Sequence, residues 1–335
     1  MSKFLASKSN KHLHKWGFKD SGFKSIGDKV VKFSGDRYEV SGTEMPDFIP
    51  YIEKMLNIEI EDKDKLKEVD EKFVSPSRVD EKFYQELEKV FENDKYTIEN
   101  TERLIHSHGQ ETFKDIYKVL YKSIDRLVDL VFYPESEEDV RKIIEVALKH
   151  NVCLIPYGGG TNVTRALSVP ENEKRTVVSI DTRRLSKIEW INKEDRRVCV
   201  EAGITGKNLD ELLEKEGFMI GHEPDSVELS TIGGWIATNA SGMKKNKYGN
   251  IEDIVENVHL VTPKGEINQI KPISRGSIGF KPQNMLFGSE GNLGIITKAI
   301  LKIHEKPEAQ EYNSVLFKSW GEGVTFLKKL SKTNY

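Results

Sequence analysis

The sequence predicts a mixed α+β fold rather than a regular doubly wound sheet. From about residue 126, short apolar segments alternate with helical stripes, several strands run into glycine-bearing loops, and one pair of segments forms a hairpin pattern. Residues 1–125 are rich in Lys and Glu and poor in glycine, which predicts a partly helical lead. We therefore expect a lead over 1–125, an α+β domain over 126–306, and in 307–335 the first strand and helix of a further, truncated domain.

Within the lead, Glu81–Phe91 carries apolar residues at helical spacing and predicts an amphipathic helix. The pattern His106-Ser107-His108 then interrupts the stretch. A His-x-His pair can ligate a metal, but no carboxylate or cysteine cluster accompanies it. A structural or substrate-neighbouring loop is the favoured interpretation, and no metal site is predicted.

The first elements of the α+β domain are a strand, a helix and a second strand. Leu127–Tyr133 is apolar, and Ser136 with Asp139 resembles a capping box. Asn151 is expected to end the helix, after which Val152–Ile155 is a short strand that runs into three glycines. The helix should bury one stripe of side chains: Val140, Ile143, Ile144, Ala147 and Leu148.

Later elements follow the same alternation. Strands are predicted at Thr176–Ile180, at Arg197–Glu201 and at Ile295–Ile303. A helix should turn Leu209, Leu212 and Leu213 to one side and end at Gly217. His259–Thr262 and Glu266–Ile270 flank Pro263-Lys264-Gly265 and predict a hairpin, and His259 and His304 are expected to be packing or surface residues.

Composition restricts the classes of function. The chain has 335 residues, 37% of them hydrophobic and 31% charged, and a formal net charge of −3, so no global positive field would attract nucleic acid. Cys153 and Cys199 both lie in apolar strand patterns, which predicts inert core thiols and a reducing compartment. No apolar run reaches the ~18 residues of a membrane span, and the N-terminus lacks a secretory signal. These features predict a soluble intracellular protein.

Three glycine-bearing loops carry the functional signal: Pro156–Asn162, Ser230–Trp235 and Gly288–Gly294. Ordering each glycine costs about 0.5–1 kcal/mol relative to alanine. Three or four hydrogen bonds to a charged phosphate, at about 1.5–3 kcal/mol each, would outweigh that cost. A tight turn without ligand is the alternative for the first loop alone. The spacing fits neither GxGxxG nor GxxxxGK[ST], so the three loops together predict a different site for a large nucleotide.

Two further segments extend this prediction. Thr238–Gly242 has small polar residues that would let an aromatic ring approach. The basic cluster Lys244-Lys245-Asn246-Lys247 is either a solvated turn or a phosphate-facing surface, and the sequence leaves both open.

Together with the three loops, other motifs carry a resemblance to a known family. They are Lys15-Trp16-Gly17-Phe18, Gly221–Ser226 and the long block Ala240–Asp253. The chain resembles, from residue 15 onward, the FAD-binding PCMH-type domain of the vanillyl-alcohol oxidase superfamily, which consists of two α/β subdomains. Within that superfamily it is most similar to the alkyldihydroxyacetonephosphate synthase family.

The resemblance implies FAD as cofactor, bound non-covalently because the first loop has no histidine to tether it. It also implies that His222 lies near the active site, where it would position a phosphate or transfer a proton; a buried histidine that orders the loop is the alternative. The implied cofactor-binding residues are Pro156, Tyr157, Gly158, Gly159, Gly160, Thr161, Asn162, Asp225, Ser226, Val227, Glu228, Leu229, Ser230, Thr231, Gly233, Gly234, Thr238, Asn239, Ala240, Ser241, Gly288, Ser289, Glu290, Gly291, Asn292, Leu293 and Gly294.

The implied reaction exchanges the acyl chain of acyl-dihydroxyacetone phosphate for a long-chain fatty alcohol in ether-lipid synthesis. It has no net redox change and passes through an adduct at N5 of the flavin. The chain departs from the family pattern at Asn292, where a threonine is usual, and at Arg275–Lys281, which lacks a Gly-Pro-acid ending. The family's C-terminal cap, which carries a catalytic tyrosine and histidines, would begin where this sequence ends, so a fragment is expected to lack most catalytic residues.

Two other functions stay open at this point. One is an FAD-dependent 2-hydroxy-acid oxidase or dehydrogenase of the same superfamily, and the other is a non-catalytic flavin-binding protein. The family resemblance further implies a peroxisomal location, peripheral membrane contact and a homodimer. Leu5, His12 and Leu13 approach the [RK]-[LVI]-x5-[HQ]-[LA] import signal, but Phe4 replaces its basic residue and the spacer is one residue too long.

Overall fold

A computed structural model describes residue 12 and residues 17–64, 74–109, 112–121, 124–268, 277 and 279–333. Helices and sheets are mixed along the chain, as the α+β prediction requires. Contacts between Cα atoms divide the chain into two compact units, Met1–Arg184 and Leu185–Tyr335. Some predicted features lie outside the described residues: the import-signal residues other than His12, Lys15-Trp16, Arg275-Gly276, and the last two residues of the predicted hairpin.

The first unit contains seven strands and five helices in its described residues. In chain order they are β1 (Gly22–Gly27), β2 (Val30–Ser34), β3 (Glu44–Met45), α1 (Phe48–Leu56), α2 (Glu81–Val90), β4 (Tyr96–Thr97), α3 (Asn100–Ile105), α4 (Phe113–Tyr121), β5 (Leu130–Phe132), α5 (Glu137–Lys149), β6 (Cys153–Tyr157) and β7 (Val177–Asp181). Helix α2 confirms the predicted amphipathic helix and buries Phe83 and Leu87.

Two sheets organise this unit. Strands β1, β2 and β3 form an antiparallel sheet, and a second sheet has the order β4-β5-β7-β6. In the second sheet β5, β7 and β6 are parallel, and Tyr157 at the end of β6 pairs with Asp181 at the end of β7. Because β6 is an edge strand, Cys153 is only half-buried, which corrects its assignment to the core.

Helix α5 is capped by a variant of the predicted box. The Ser136 hydroxyl accepts a hydrogen bond from the amide of Asp139, while the Asp139 carboxylate accepts from the amide of Glu135. Asn151 has a positive φ of 54°, in the left-handed conformation that often follows a helix end. The predicted apolar stripe is buried except for Leu148, which is 57% exposed because it lies at the edge of the stripe.

The second unit is built on a larger sheet. Its elements are β8 (Ile188–Asn192), β9 (Arg197–Glu201), α6 (Gly206–Glu214), β10 (Phe218–Met219), α7 (Ile232–Thr238), α8 (Lys245–Tyr248), α9 (Ile251–Ile254), β11 (Val255–Thr262), β12 (Gly265–Ile267), β13 (Ile295–Lys302), β14 (His304–Glu305) and α10 (Trp320–Leu330). The five-stranded sheet has the antiparallel order β12-β11-β13-β9-β8, and β10 pairs with β14.

One apolar core joins this sheet to α6 and α7. Val198 and Val200 of β9 belong to the same cluster as Leu213 of α6 and Trp235 of α7. Each fully buried side chain of this size contributes roughly 1.5–3 kcal/mol to folding. Leu212 is 39% exposed, so the prediction that it shares the buried face is wrong. The buried face of α6 is formed by Leu209 and Leu213.

The remaining predictions for this unit concern single residues. The hairpin is confirmed by the pairing of Thr262 with Gly265. His259 is buried and contacts Glu266 at 3.0 Å. Burial raises the pKa of the Cys199 thiol to about 11, which keeps it protonated and inert.

The C-terminal segment contains the predicted helix, α10, but the described residues between Glu305 and Trp320 form no strand. Within the described residues, no helix is both long enough and apolar enough to span a bilayer.

Candidate functional site

The first glycine loop follows directly from β6. Gly160 has a positive φ of 73°, and Asn162 closes the loop by accepting the amide of Ala166 through its side-chain oxygen. The amides of Gly158, Gly160 and Thr161 donate no hydrogen bond to the part of the chain that the structure describes. These amides are therefore available to an anionic group.

The Tyr157 side chain lies beneath this loop rather than on its surface. The ring is 1% exposed, and its centroid is 4.2 Å from that of His106. A Cβ built on Gly160 would come within 2.4 Å of the Tyr157 hydroxyl oxygen, so no side chain fits there. Burial raises the pKa of Tyr157, which keeps the phenol protonated.

A buried ion cluster supports the tyrosine. His106 contacts the Glu102 carbonyl at 2.7 Å and the Asp181 carboxylate at 3.0 Å through its two ring nitrogens. Asp181 also accepts two side-chain hydrogen bonds from Arg183, at 2.9 and 2.6 Å. Although burial opposes it, the charge of Arg183 and the bonds from Arg183 and His106 hold the Asp181 pKa well below its usual range. The first histidine of the His-x-His pattern therefore has a structural role.

In the second unit, the segment from Asp225 folds back on itself. The Ser226 carbonyl accepts the amides of Leu229 and Ser230, and the Ser230 carbonyl accepts the amide of Gly206. The Ser230 hydroxyl also accepts a hydrogen bond from the Trp235 indole at 2.7 Å. These bonds fix the segment to the start of α6 and leave Asp225 exposed.

The two glycines at the start of α7 serve close packing. The amide of Gly233 donates to the Ala202 carbonyl at 2.7 Å, and the amide of Gly234 donates to the Thr231 hydroxyl at 3.2 Å. A Cβ on Gly233 would lie 3.1 Å from the Cβ of Ala202. Their amides are thus occupied within the protein, unlike those of Gly158, Gly160 and Thr161 in the described part of the first loop.

The third loop docks onto the end of α7. The amides of Gly288 and Glu290 donate to the carbonyls of Ile236 and Ala237 at 3.3 and 2.8 Å. Asn239, which ends α7 in a left-handed conformation, lies 3.9 Å from a Cβ built on Gly288. The structure therefore brings the second and third predicted loops together. The exposed polar residues around them are Thr238, Asn239, Ser241 and Asn292.

His222 is buried in the second unit. It is 1% exposed, its ring meets the Trp235 ring edge-on at 4.8 Å, and neither ring nitrogen has a hydrogen-bond partner among the described residues. Burial lowers the His222 pKa to about 4, so the ring is neutral near pH 7. A neutral imidazole offers one donor and one acceptor to a ligand.

The block after α7 holds the His222 loop. The amide of Met243 donates to the Glu223 carbonyl at 2.8 Å, and Lys244 forms an ion pair with the Glu223 carboxylate at 2.6 Å. Gly221, at φ 78°, lies under the Tyr248 ring, where a Cβ would be 2.5 Å from the nearest ring atom. Lys244 is thus part of the scaffold, whereas Lys245 and Lys247 are exposed.

Sequence reasoning missed two supporting residues. Asp181 directly follows the predicted strand Thr176–Ile180, and Gly206 lies against the Trp235 ring with only 2.3 Å for a Cβ. A glycine at the start of a helix and a carboxylate just after an apolar strand are the signals that could have identified them. Gly242, in the predicted small-residue segment Thr238–Gly242, leaves 3.0 Å between a Cβ and the His222 ring.

Each unit by itself has features that fit part of a nucleotide cofactor. In the first unit, the amides of Gly158, Gly160 and Thr161 are open within the described chain, and the Tyr157 hydroxyl leaves no room for a side chain at Gly160. Taken by itself, the second unit exposes polar side chains around the end of α7. No histidine lies in the first loop, and both cysteines lie elsewhere in the chain.

Comparison with known proteins agrees with this geometry. Residues 128–271 match the family model described as an FAD binding domain. Alkyldihydroxyacetonephosphate synthase from Caenorhabditis elegans is 42% identical over 319 residues, covering 94% of this chain and 52% of that protein. Its counterpart from Dictyostelium discoideum is 35% identical over 87% of this chain and 48% of its own length.

A solved structure of alkyldihydroxyacetonephosphate synthase has the same fold. It superposes with a TM-score of 0.86 at 32% identity and covers 97% of this chain and 58% of its own. Mitochondrial D-lactate dehydrogenase [cytochrome] from Arabidopsis thaliana is 30% identical over a shorter part, 69% of this chain and 38% of that protein.

These findings define the class of the protein first: it carries an FAD-binding domain of the PCMH type, and FAD is its cofactor. More narrowly, the chain is a homologue of the alkyldihydroxyacetonephosphate synthases. It spans about half the length of the curated relatives that it matches, at 52% and 48% of the first two.

Proposed function

We propose that the chain is the flavin-binding part of an alkylglycerone-phosphate synthase. The observation that supports this most is the 42% identity to the nematode synthase over 94% of the chain. The similarity to a D-lactate dehydrogenase is lower, 30%, and extends over only 69%. In this proposal residues 126–306 form the FAD-binding domain, 1–125 the lead and 307–335 the start of a cap.

FAD, when bound, supplies the electrophilic centre at which the acyl chain is exchanged for the alcohol, with no net redox change. The chain's own share is binding and orientation. We propose that the open amides of the first loop hold the diphosphate non-covalently, and that Thr238, Asn239, Ser241 and the third loop line the remaining cofactor surface. Gly233 and Gly234 would contribute close packing rather than amide donors, because their amides are already bonded.

His222 is the proposed catalytic residue of this chain. Its neutral ring, with two nitrogens that lack partners among the described residues, would hold a substrate phosphate or accept and return a proton. Its packing against Trp235 supports the alternative, a histidine that orders the loop.

Replacing His222 separates these roles. His222→Gln should lower kcat by about 100-fold if the ring transfers a proton, at unchanged flavin content. Flavin content is measured by absorbance and turnover by alkyl-ether formation. A variant that loses flavin in proportion to its activity would contradict the catalytic assignment and support the loop-ordering role.

The proposed partners are acyl-dihydroxyacetone phosphate and a long-chain fatty alcohol, and the proposed location is the peroxisome, with peripheral membrane contact and a homodimer. Homology to the synthases supports the two substrates in general terms. Location, membrane contact and oligomeric state rest on the family resemblance.

The proposed activity is tested by incubating the purified full-length gene product and FAD with acyl-dihydroxyacetone phosphate and labelled hexadecanol. We expect labelled alkyl-dihydroxyacetone phosphate and release of one fatty acid per product. If no ether forms and anaerobic D-lactate or glycolate bleaches the flavin instead, the protein is a 2-hydroxy-acid dehydrogenase. If neither reaction occurs, it is a flavin-binding protein without this catalysis.

A further inference from the structure

The Tyr157 hydroxyl is a buried polar group that the proposed chemistry does not use. Its oxygen has no hydrogen-bond partner among the described residues. Because the side chain is only 1% exposed, bulk solvent does not supply one either. Leaving such a donor unpaired in the interior is unfavourable, so each one in a native fold needs an explanation. The nearby charged groups pair with each other instead: Arg183 donates to both carboxylate oxygens of Asp181, and its guanidinium carbon lies 5.3 Å from the centroid of the Tyr157 ring.

The position of this hydroxyl links it to the cofactor loop. It lies under Gly160, at 2.4 Å from where a Cβ would be, and three amides of the same loop are also unused. The tyrosine has little freedom to turn elsewhere, because His106 packs on its ring and is itself held by Glu102 and Asp181. The unpaired Tyr157 hydroxyl and the open amides of the first glycine loop therefore lie next to each other in the first unit.

We propose that Tyr157, fixed by the His106–Asp181–Arg183 cluster, is a positioning residue for the first glycine loop, and that its hydroxyl gains a hydrogen-bond partner when the diphosphate of FAD orders that loop. The proposal rests on FAD binding by this domain. The partner is a loop carbonyl or a water enclosed under the loop, since the hydroxyl lies below the backbone and is shielded from solvent.

The hydroxyl is removed with little change of shape by Tyr157→Phe. Tyr133→Phe is a matched control in the same unit, because Tyr133 is also buried and its hydroxyl already donates to the Glu102 carboxylate at 2.6 Å. The apo forms are compared by thermal unfolding, and FAD dissociation constants by the quenching of flavin fluorescence on binding.

For Tyr157→Phe we expect an apo melting temperature equal to or above that of the wild type, and FAD binding weaker by about fivefold, the effect of one neutral hydrogen bond. For Tyr133→Phe we expect the reverse: a lower apo melting temperature and FAD affinity within twofold. An unchanged FAD affinity in Tyr157→Phe would overturn the proposal. So would an affinity loss accompanied by a lower apo melting temperature, which indicates general destabilisation. A wild-type protein that binds no FAD would instead contradict the cofactor assignment.

Discussion

At the residue scale, the pKa of His222 depends on its burial in the fold, which its local sequence does not reveal. In the sequence it is one of several histidines, whereas in the structure burial lowers its pKa from 6.5 to about 4. Between these two values the unfolded chain binds a proton that the folded protein excludes, so stability rises with pH across that window. The stability is lost as pH falls from about 6.5 toward 4.

This titration predicts a measurable slope. Unfolding free energy from urea titrations should fall by roughly 2–3 kcal/mol between pH 7 and pH 4 on account of His222. In His222→Gln that part of the slope should disappear. His304, whose pKa burial also lowers, provides the control: His304→Gln should leave the His222 contribution in place. Parallel pH profiles for wild type and His222→Gln would contradict the account.

Gly160 illustrates a second effect at the scale of one residue. Both Gly160 and Gly217 have positive φ, 73° and 83°, but only Gly160 lies against another group. Gly217→Ala should cost about 1–2 kcal/mol of folding free energy from backbone strain alone. Gly160→Ala should cost more and also weaken FAD binding, because its Cβ meets the Tyr157 hydroxyl. Chemical denaturation measures the folding free energy, and flavin titration measures FAD binding. Equal losses in Gly160→Ala and Gly217→Ala would contradict the contact between Gly160 and the Tyr157 hydroxyl.

At the scale of elements, two adjacent leucines of α6 differ in how deeply they are buried. Leu213 is fully buried in the second unit's core, while its neighbour Leu212 is 39% exposed. Leu213→Ala should lower the unfolding free energy by about 2–5 kcal/mol. Leu212→Ala should change it by about 0.5 kcal/mol or less, as at other surface positions. Similar losses on urea unfolding would contradict the orientation of this helix.

Most elements of the described residues could be predicted because their signals are local. The Ser136 cap and the left-handed Asn151 bound α5, and β9 spans Arg197–Glu201, the strand predicted from its apolar centre. The predicted burial of Leu148 and of Leu212 was wrong for the same reason. A period of 3.6 identifies the apolar side of a helix, but which residue at its edge is covered depends on the neighbouring elements.

At the scale of the whole molecule, the sequence identified the candidate loops but not how their amides are used. The three loops look alike as glycine-bearing turns, yet Gly233 and Gly234 donate within the second unit while the amides of Gly158 and Gly160 remain open in the described chain. The cluster under the first loop joins His106 to Asp181, which are 75 positions apart. Such a contact arises from sheet topology and has no local sequence signal.

The central claim is that this chain binds FAD without a covalent bond through its glycine loops. The most direct measurement is the absorbance spectrum of the purified, folded protein after saturation with FAD and removal of excess, followed by acid precipitation. The account predicts a yellow protein near one flavin per chain, with the flavin released into the supernatant. A folded protein that retains no flavin, or a precipitate that keeps it, would contradict the claim.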